Sequence, residues 1–303
     1  MSSDNPTGHI IQSLAVNAVI AAAKTVAAVI SGSGALLAES LHSFADCGNQ
    51  LLLLLGVHKA RRPPDARHPL GYGRDLYFWS FMVALLLFTG GGVFSIYEGV
   101  HKFIHPEPVE SITIGVIILA LSIALEGWST YSNIVELNKR RGSIGFFRYL
   151  RETKDSDLVV IFGENAAAVL GLVLALIALV LAKQTDDGRW DAIGSFAIGV
   201  VLVGVALFLA KEIKSLLLGE AADPVTEAAV REIASADPNV TQVLRMMSIQ
   251  QGPGEVVVAM KLKFKPGLAT GGDLCKVINE LEGRIEARCP EVKWTFIEPD
   301  DRD

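Results

Sequence analysis

The chain has 303 residues, half of them hydrophobic, with a mean hydropathy of +0.40 and a formal net charge of −6. A soluble domain of this length rarely carries so much apolar content, so the composition places the chain among membrane proteins. The negative balance argues against nucleic acid as a partner, and the cysteines (Cys47, Cys275 and Cys289) lack the paired spacing of a metal knuckle. They read as reduced thiols in a cytoplasmic or buried setting.

The first eight residues are polar and carry no basic n-region, so no cleaved signal peptide is expected and the first apolar helix directs insertion. Six stretches are long enough to cross a bilayer, which takes roughly 20 residues each. They lie near Ile10 to Ile30, Leu36 to Lys59, Asp75 to Phe103, Ile112 to Leu137, Leu158 to Ala182 and Trp190 to Ile213. The third carries Gly90, Gly91 and Gly92, a weak point or a close-packing site in a membrane helix.

Orientation follows from lysine and arginine in the short loops. Lys59, Arg61, Arg62, Arg67 and Arg74 lie between spans two and three, and Lys139, Arg140, Arg141, Arg148, Arg151 and Lys154 between four and five. The loops one-to-two and three-to-four (His105 to Ser111) have none, and five-to-six has only Lys183 and Arg189. This alternation predicts an integral, multi-pass protein with both termini on the cytoplasmic or equivalent non-translocated side of a plasma or inner membrane.

After Gly219 charged residues return and apolar residues alternate with polar ones, marking a boundary between 1–219 and a soluble domain over 220–303. A helix runs from Asp223 and Thr226 through Ala234, followed by strands at Val240 to Gln250 and Glu255 to Phe264. Gly252-Pro253-Gly254 between the strands is a hairpin signal. A second helix over Gly272 to Arg288 and a last strand over Val292 to Ile297 complete an αββαβ order. The fold class is therefore an α-helical membrane protein with six transmembrane helices and a C-terminal α+β domain, a small open sheet with its helices on one face.

The chemistry concentrates in AESLHSFADCGN, Ala38 to Asn49, within the second span. His42 and Asp46 are four residues apart and share a helical face; Glu39 lies on a nearby face and Asn49 follows Asp46 by three. Ionisable groups at membrane depth are costly and mark ion or proton pathways. A His–carboxylate pair at this spacing is half of a site for a divalent transition metal; the alternative is a His–Asp bond that packs two helices.

LLAESLHSFADCGNQLLLLLG, HPLGYGRDLYFWSF, GGVFSIYEGVHK and LLLGEAADP together resemble the cation diffusion facilitator family, especially the branch related to the zinc transporter ZnT9. The resemblance covers nearly the whole chain. It implies no enzyme but a secondary transporter: six membrane helices, a homodimer paired through a metallochaperone-like tail over 220–303, and proton-coupled divalent cation efflux from the cytoplasm. No cofactor is implied. The cargo is a transported divalent cation, zinc first, with manganese, iron and cobalt as alternatives.

The resemblance assigns His42 and Asp46 as the helix-two pair of a tetrahedral transport site. Helix five departs from the pattern. Aligning on Ala166 to Gly171 puts Ile161 and Asn165 at the expected ligand positions; isoleucine cannot ligate and asparagine offers one neutral oxygen. Glu164 precedes Asn165 and could supply the carboxylate, but it points about 100° away on an ideal helix, so rotation or a local irregularity is needed. The site is thus read as His42 and Asp46 completed by Asn165, Glu164 or both, and its oxygen-rich character shifts preference toward harder ions such as Mn²⁺. The degenerate half raises a second function, a non-transporting partner or regulator of a related transporter.

In the loop between spans two and three, Asp65 and His68 occupy an accessory metal site of relatives, but Tyr72 stands where a further His is expected, so loop shaping is the favoured role. No histidine follows His105, which excludes a multi-histidine site in the tail. Lys24, mid-span on helix one, needs a carboxylate partner or an aqueous path; Glu98 and Glu126 are the candidates, as partners or proton relays. Asp191 is expected to cap the start of helix six.

Overall fold

A computed structural model of the chain describes residues 6–106, 109, 112–153, 156–266 and 271–302. The polar start at 1–5, Lys154 and most of the His105 to Ser111 loop, used above for insertion and orientation, lie outside or partly outside the described residues. By its internal contacts the chain divides into two units. One comprises 1–58, 78–151 and 156–214; the other comprises 59–77, 152–155 and 215–303.

The first unit is helical. Its elements are α1 (Pro6–Ser31), α2 (Gly34–Ala60), α3 (Asp75–Leu86), a π-helical stretch (Leu87–Val93), α4 (Phe94–Ile104), α5 (Ile112–Arg140), α6 (Phe146–Glu152), α7 (Ser156–Thr185) and α8 (Arg189–Leu218). Among the described residues four helices are long and apolar enough to cross a membrane: Asp75–Ile104, Ile112–Arg140, Ile161–Thr185 and Arg189–Leu218. The helices α1 and α2 cover the first two expected spans; within α1 the apolar stretch among the described residues is Asn17–Ser31, and α2 carries Glu39, Asp46 and Lys59 within its length. Large apolar side chains such as Leu121, Leu125, Leu170, Ile177, Val200 and Leu207 are left exposed on this unit, as a lipid-facing surface requires.

The glycine-rich middle of the third expected span is both things anticipated, an irregularity and a close-packing site. Leu87–Val93 winds as a π-helix, a form found as short insertions inside α-helices. A Cβ at Gly92 would stand 2.7 Å from Val203 Cγ2, one at Gly99 2.6 Å from Phe196 N, and one at Gly199 2.7 Å from Ile96 N. The α4 and α8 backbones therefore touch through glycines, and Ser195 Oγ donates to Ser95 O at 3.1 Å across the same seam. Such small-residue seams give membrane helices their van der Waals contact.

At one end of this unit Asp191 acts as a cap, but for another helix. Its carboxylate accepts from Ser33 Oγ and Gly34 N, both at 2.5 Å, and from Ala35 N at 3.3 Å. These N–H groups open α2 and have no partner within that helix, so an acid from α8 satisfies them and meets the positive end of the α2 dipole. Lys102 donates to Gly32 O beside it.

The second unit contains α9 (Pro224–Ser235), β1 (Val240–Gly252), β2 (Glu255–Phe264), α10 (Gly271–Arg288) and β3 (Val292–Pro299), within two residues of the expected boundaries. The sheet order is β1-β2-β3, with β1 and β2 antiparallel and β2 and β3 parallel. Asp223 accepts from Val225 N at 2.8 Å and Pro224 opens α9, a standard N-terminal cap. Val230, Ala234, Leu281 and Ile285 from the helices bury against Val256, Val258, Met260, Leu262 and Val292. The opposite face of the sheet carries the cross-strand rows Met247–Ala259–Phe296 and Ile249–Val257–Trp294, with Met247 and Phe296 more than half exposed.

The segment 59–77 belongs to this unit, which its basic residues did not foretell. A Cβ at Gly73 would stand 2.8 Å from Gln251 O and 3.1 Å from Gly252 Cα, and Gln251 Nε2 donates to Leu70 O at 3.5 Å. The missing side chain of Gly73 lets this loop lie on the β1–β2 hairpin.

Candidate metal transport site

Glu39, His42, Asp46 and Asn49 recur on α2 at offsets of three, seven and ten residues. That spacing is the stripe of one helical face. His42 is fully buried, and its Nδ1 stands 3.6 Å from Asp46 Oδ1, beyond hydrogen-bonding distance. Neither ring nitrogen of His42 has a hydrogen-bond partner, nor do the buried Asp46 Oδ1 and Asn49 Oδ1. Unsatisfied buried polar atoms are costly and scarce in folded proteins. Here imidazole nitrogen and carboxylate oxygen, the two donors zinc takes most readily after thiolate, are left without protein partners on one face. The fit to a divalent cation is good, and a purely packing His–Asp bond is not what the geometry holds. Asp46 keeps 19% of its side chain accessible, so the pair is not sealed.

Of the rotation or local irregularity expected to turn Glu164 inward, the helix α7 shows no irregularity. The helix α7 is an unbroken α-helix, and it is Glu164 that is buried against α2. Asn49 Nδ2 donates to Glu164 Oε1 at 2.5 Å. Asn165 is half-buried, with its carbonyl accepting from Thr130 Oγ1 at 3.3 Å, and Ile161 is exposed. The whole helix is set so that the carboxylate faces in. Among the described residues no three His, Cys, Asp or Glu side chains stand close enough to enclose an ion as they are. His42 and Asp46 form the nearest pair, with Glu164 held one step along the stripe by Asn49.

Lys24 finds its carboxylates on α2 and α5. Its Nζ lies 2.8 Å from Glu126 Oε1 and 3.3 Å from Glu39 Oε2, and donates to Ser43 Oγ at 2.9 Å. Glu126 is one of the two partners considered. Glu98, the other, lies 3.8 Å from Lys102, its own neighbour one helical turn along α4, and takes no part in the Lys24 network. Glu39 was the missed partner. The signal available was its place on the His42–Asp46 stripe; what could not be read was the glycine opposite it. A Cβ at Gly171 on α7 would collide with Glu39 Oε1, so the bare backbone there makes room for the acid.

Asp65 and His68 do not form a metal centre. Asp65 Oδ1 accepts from Arg67 N and His68 N at 2.8 Å each, and Oδ2 accepts from Tyr72 OH at 2.7 Å. The His68 and Tyr72 rings sit 4.2 Å apart between centroids. The Tyr72 hydrogen bond, joined by the two backbone N–H bonds, holds the Asp65 carboxyl below its ordinary range, and the same bond raises the Tyr72 phenol. The expected loop-shaping role matches this arrangement.

A family model for the cation efflux transmembrane domain matches residues 10–218. The proton-coupled zinc antiporter SLC30A9, mitochondrial, of Xenopus laevis is 31% identical over 288 residues, which are 93% of this chain and 52% of that protein. The human protein of the same name is 30% identical over 299 residues, 96% of this chain and 52% of its own length. Metal tolerance protein C4 of Arabidopsis thaliana is 31% identical over 236 residues, 77% of this chain and 52% of its own. The chain therefore spans about half the length of these relatives. The matched region contains every residue of the α2 stripe, its Lys24 and Glu126 neighbours and the inward-facing Glu164. The chain belongs to the cation diffusion facilitator family, on its ZnT9-like branch.

Proposed function

We propose that this protein is a proton-coupled exporter of a divalent cation of the zinc type, moving metal away from the compartment that holds its C-terminal domain. The observation that carries the reading is the buried His42–Asp46 pair with its unpartnered nitrogens and oxygen. Six membrane crossings, α1, α2, α3 with α4, α5, α7 and α8, put both termini on the basic-loop side. Metal reaches Asp46 and His42, draws Glu164 from Asn49 as a further oxygen ligand, and leaves on the other side. His42 and Asp46 bind metal only when deprotonated, so a proton arriving from the far side competes with the metal and drives its release. Zinc is supported by the imidazole in the donor set and by the names of the relatives. The apolar outer rows Met247–Ala259–Phe296 and Ile249–Val257–Trp294 support a homodimer paired through 220–303. The order of the tail elements suits a metallochaperone-like fold used as a platform.

The test is flux into vesicles. Purified protein in liposomes with a trapped metal dye and an imposed pH gradient is expected to take up zinc, and Asp46→Ala to fall to the protein-free background. Equal flux in wild type and Asp46→Ala for zinc, manganese, iron and cobalt overturns the exporter and favours the non-transporting partner. Glu164→Ala is expected to lose most of the flux and Asn165→Ala little of it.

A further inference from the structure

The Lys24 network goes beyond what a single transport site needs. We propose that Glu39 and Glu126 form a second cation-binding station in the membrane domain, held by the chain's own Lys24 ammonium, which the transported dication displaces. This rests on the transport reading above and adds a step to it.

Two carboxylates from different helices converge on one nitrogen, at 3.3 and 2.8 Å. Each keeps a buried oxygen without a partner, Glu39 Oε1 and Glu126 Oε2. Glu39 is fully buried, and the room for its free oxygen is made by the bare backbone of Gly171. One ammonium against two carboxylates leaves a net charge of −1, so the cluster still attracts a cation. A dication also asks for oxygens at about 2.0–2.2 Å, closer than either carboxylate comes to Nζ, and side-chain adjustment of about 1 Å would supply that contraction.

The placement suits a path. Glu39 is one helical turn from His42, whose wholly buried ring nitrogens lack partners, and Asn49 with Glu164 lies on the far side of Asp46. From Asn49 to Glu39 the α2 stripe rises about 15 Å, half the thickness of the hydrocarbon core. A second station one turn away, occupied by a tethered cation when no metal is present, gives the metal somewhere to go and prevents the two acids from trapping it.

Calorimetric titration of the purified full chain with Zn²⁺ tests the proposal. Wild type is expected to bind one equivalent through His42 and Asp46. Lys24→Met, which removes the internal competitor, is expected to bind a second equivalent at least about tenfold tighter than any second phase of wild type. That second equivalent should vanish in Lys24→Met/Glu126→Gln, whereas zinc held by surface histidines would persist. A single equivalent in both wild type and Lys24→Met overturns the second station and leaves the transport site standing. Unchanged binding in Asp46→Ala overturns the transport site instead. Should Lys24→Met fail to give a monodisperse protein, wild type and Glu126→Gln titrated to millimolar zinc decide the matter. A weak second phase seen only in wild type supports the station; identical curves overturn it.

Discussion

The helical unit and the tail over 220–302 bury polar groups in opposite ways. In the tail they are satisfied: Ser248 Oγ donates to Glu227 at 2.6 Å and receives Ala222 N at 2.9 Å, and the buried Asp237 is bonded by Arg284. Among the described residues no buried side-chain nitrogen or oxygen beyond Glu126 lacks a partner. The helical unit instead leaves partnerless atoms on Glu39, His42, Asp46, Asn49, Ser80 and Glu126, most of them around one face of α2. A tail built this way is an ordinary stable domain, and a membrane unit built that way gives up stability to keep ligating atoms free. Mutations should therefore separate the two: function lost without stability in one, stability lost without binding chemistry in the other.

The largest effect expected is on the α2 face. Asp46→Asn should cut zinc flux by about a hundredfold, the upper end of what losing even a partner of a metal ligand costs, while leaving the melting temperature of the purified protein unchanged or higher. A clear drop in melting temperature with flux retained would make the His42–Asp46 pair structural. The mirror experiment is Leu281→Ala in the tail core. Truncating this fully buried leucine should cost about 2–5 kcal/mol of unfolding free energy in the tail, with zinc affinity of the remaining folded protein unaltered. If affinity falls in step with stability, the tail and the α2 face are not independent.

A smaller effect sharpens the contrast within the helical unit itself. Gly99→Ala places a methyl 2.6 Å from Phe196 N and 2.8 Å from Ala192 O, both backbone atoms that cannot step aside. Overpacking of this kind typically costs about 1–3 kcal/mol, read as a lower melting temperature in detergent, whereas Gly127→Ala, which meets nothing within 4 Å, should be silent. Equal behaviour of the two would mean that α4 and α8 are not in backbone contact at Gly99. The smallest effect belongs to the exposed Asp65 turn. Its carboxyl is held low by Tyr72, so the turn is intact at neutral pH and loosens only as pH falls through the lowered Asp65 value, below the ordinary aspartate range. Spectrophotometric titration of Asp65→Asn should show one phenol ionising earlier than in wild type, because Tyr72 loses the partner that raises it; superimposable curves would contradict the bond.

Local periodicity made much of this legible. The expected spans, the hairpin at Gly252-Pro253-Gly254 and the tail order all fell within a few residues of the observed elements, since hydropathy and alternation act along the chain. The relations between helices were another matter. That Asp191 caps α2 and not its own helix, or that Lys24 chooses Glu126 over Glu98, depends on which helices become neighbours. The rotation of α7 is the clearest case. Glu164 and Asn165 are adjacent in sequence and differ by about 100° around the axis, and only packing of the whole helix against α2 and α5 decides which faces in. The family pattern pointed to position 165; the buried carboxylate stands at 164.

The π-helical stretch at Leu87–Val93 has a consequence for anyone numbering this membrane span. A π turn takes up more residues than an α turn, so the helical phase beyond it is offset from the phase before it. A single helical wheel drawn over Asp75–Ile104 would then misassign sides: residues of α3 that share a face do not share it with residues of α4 at the same nominal angle. Gly99, Glu98 and Lys102 must be counted from Phe94, not from Asp75. In alignment terms the stretch acts as an insertion hidden inside a continuous helix. A relative in which it is wound as plain α would align without gaps only by placing one half of the span on the wrong face.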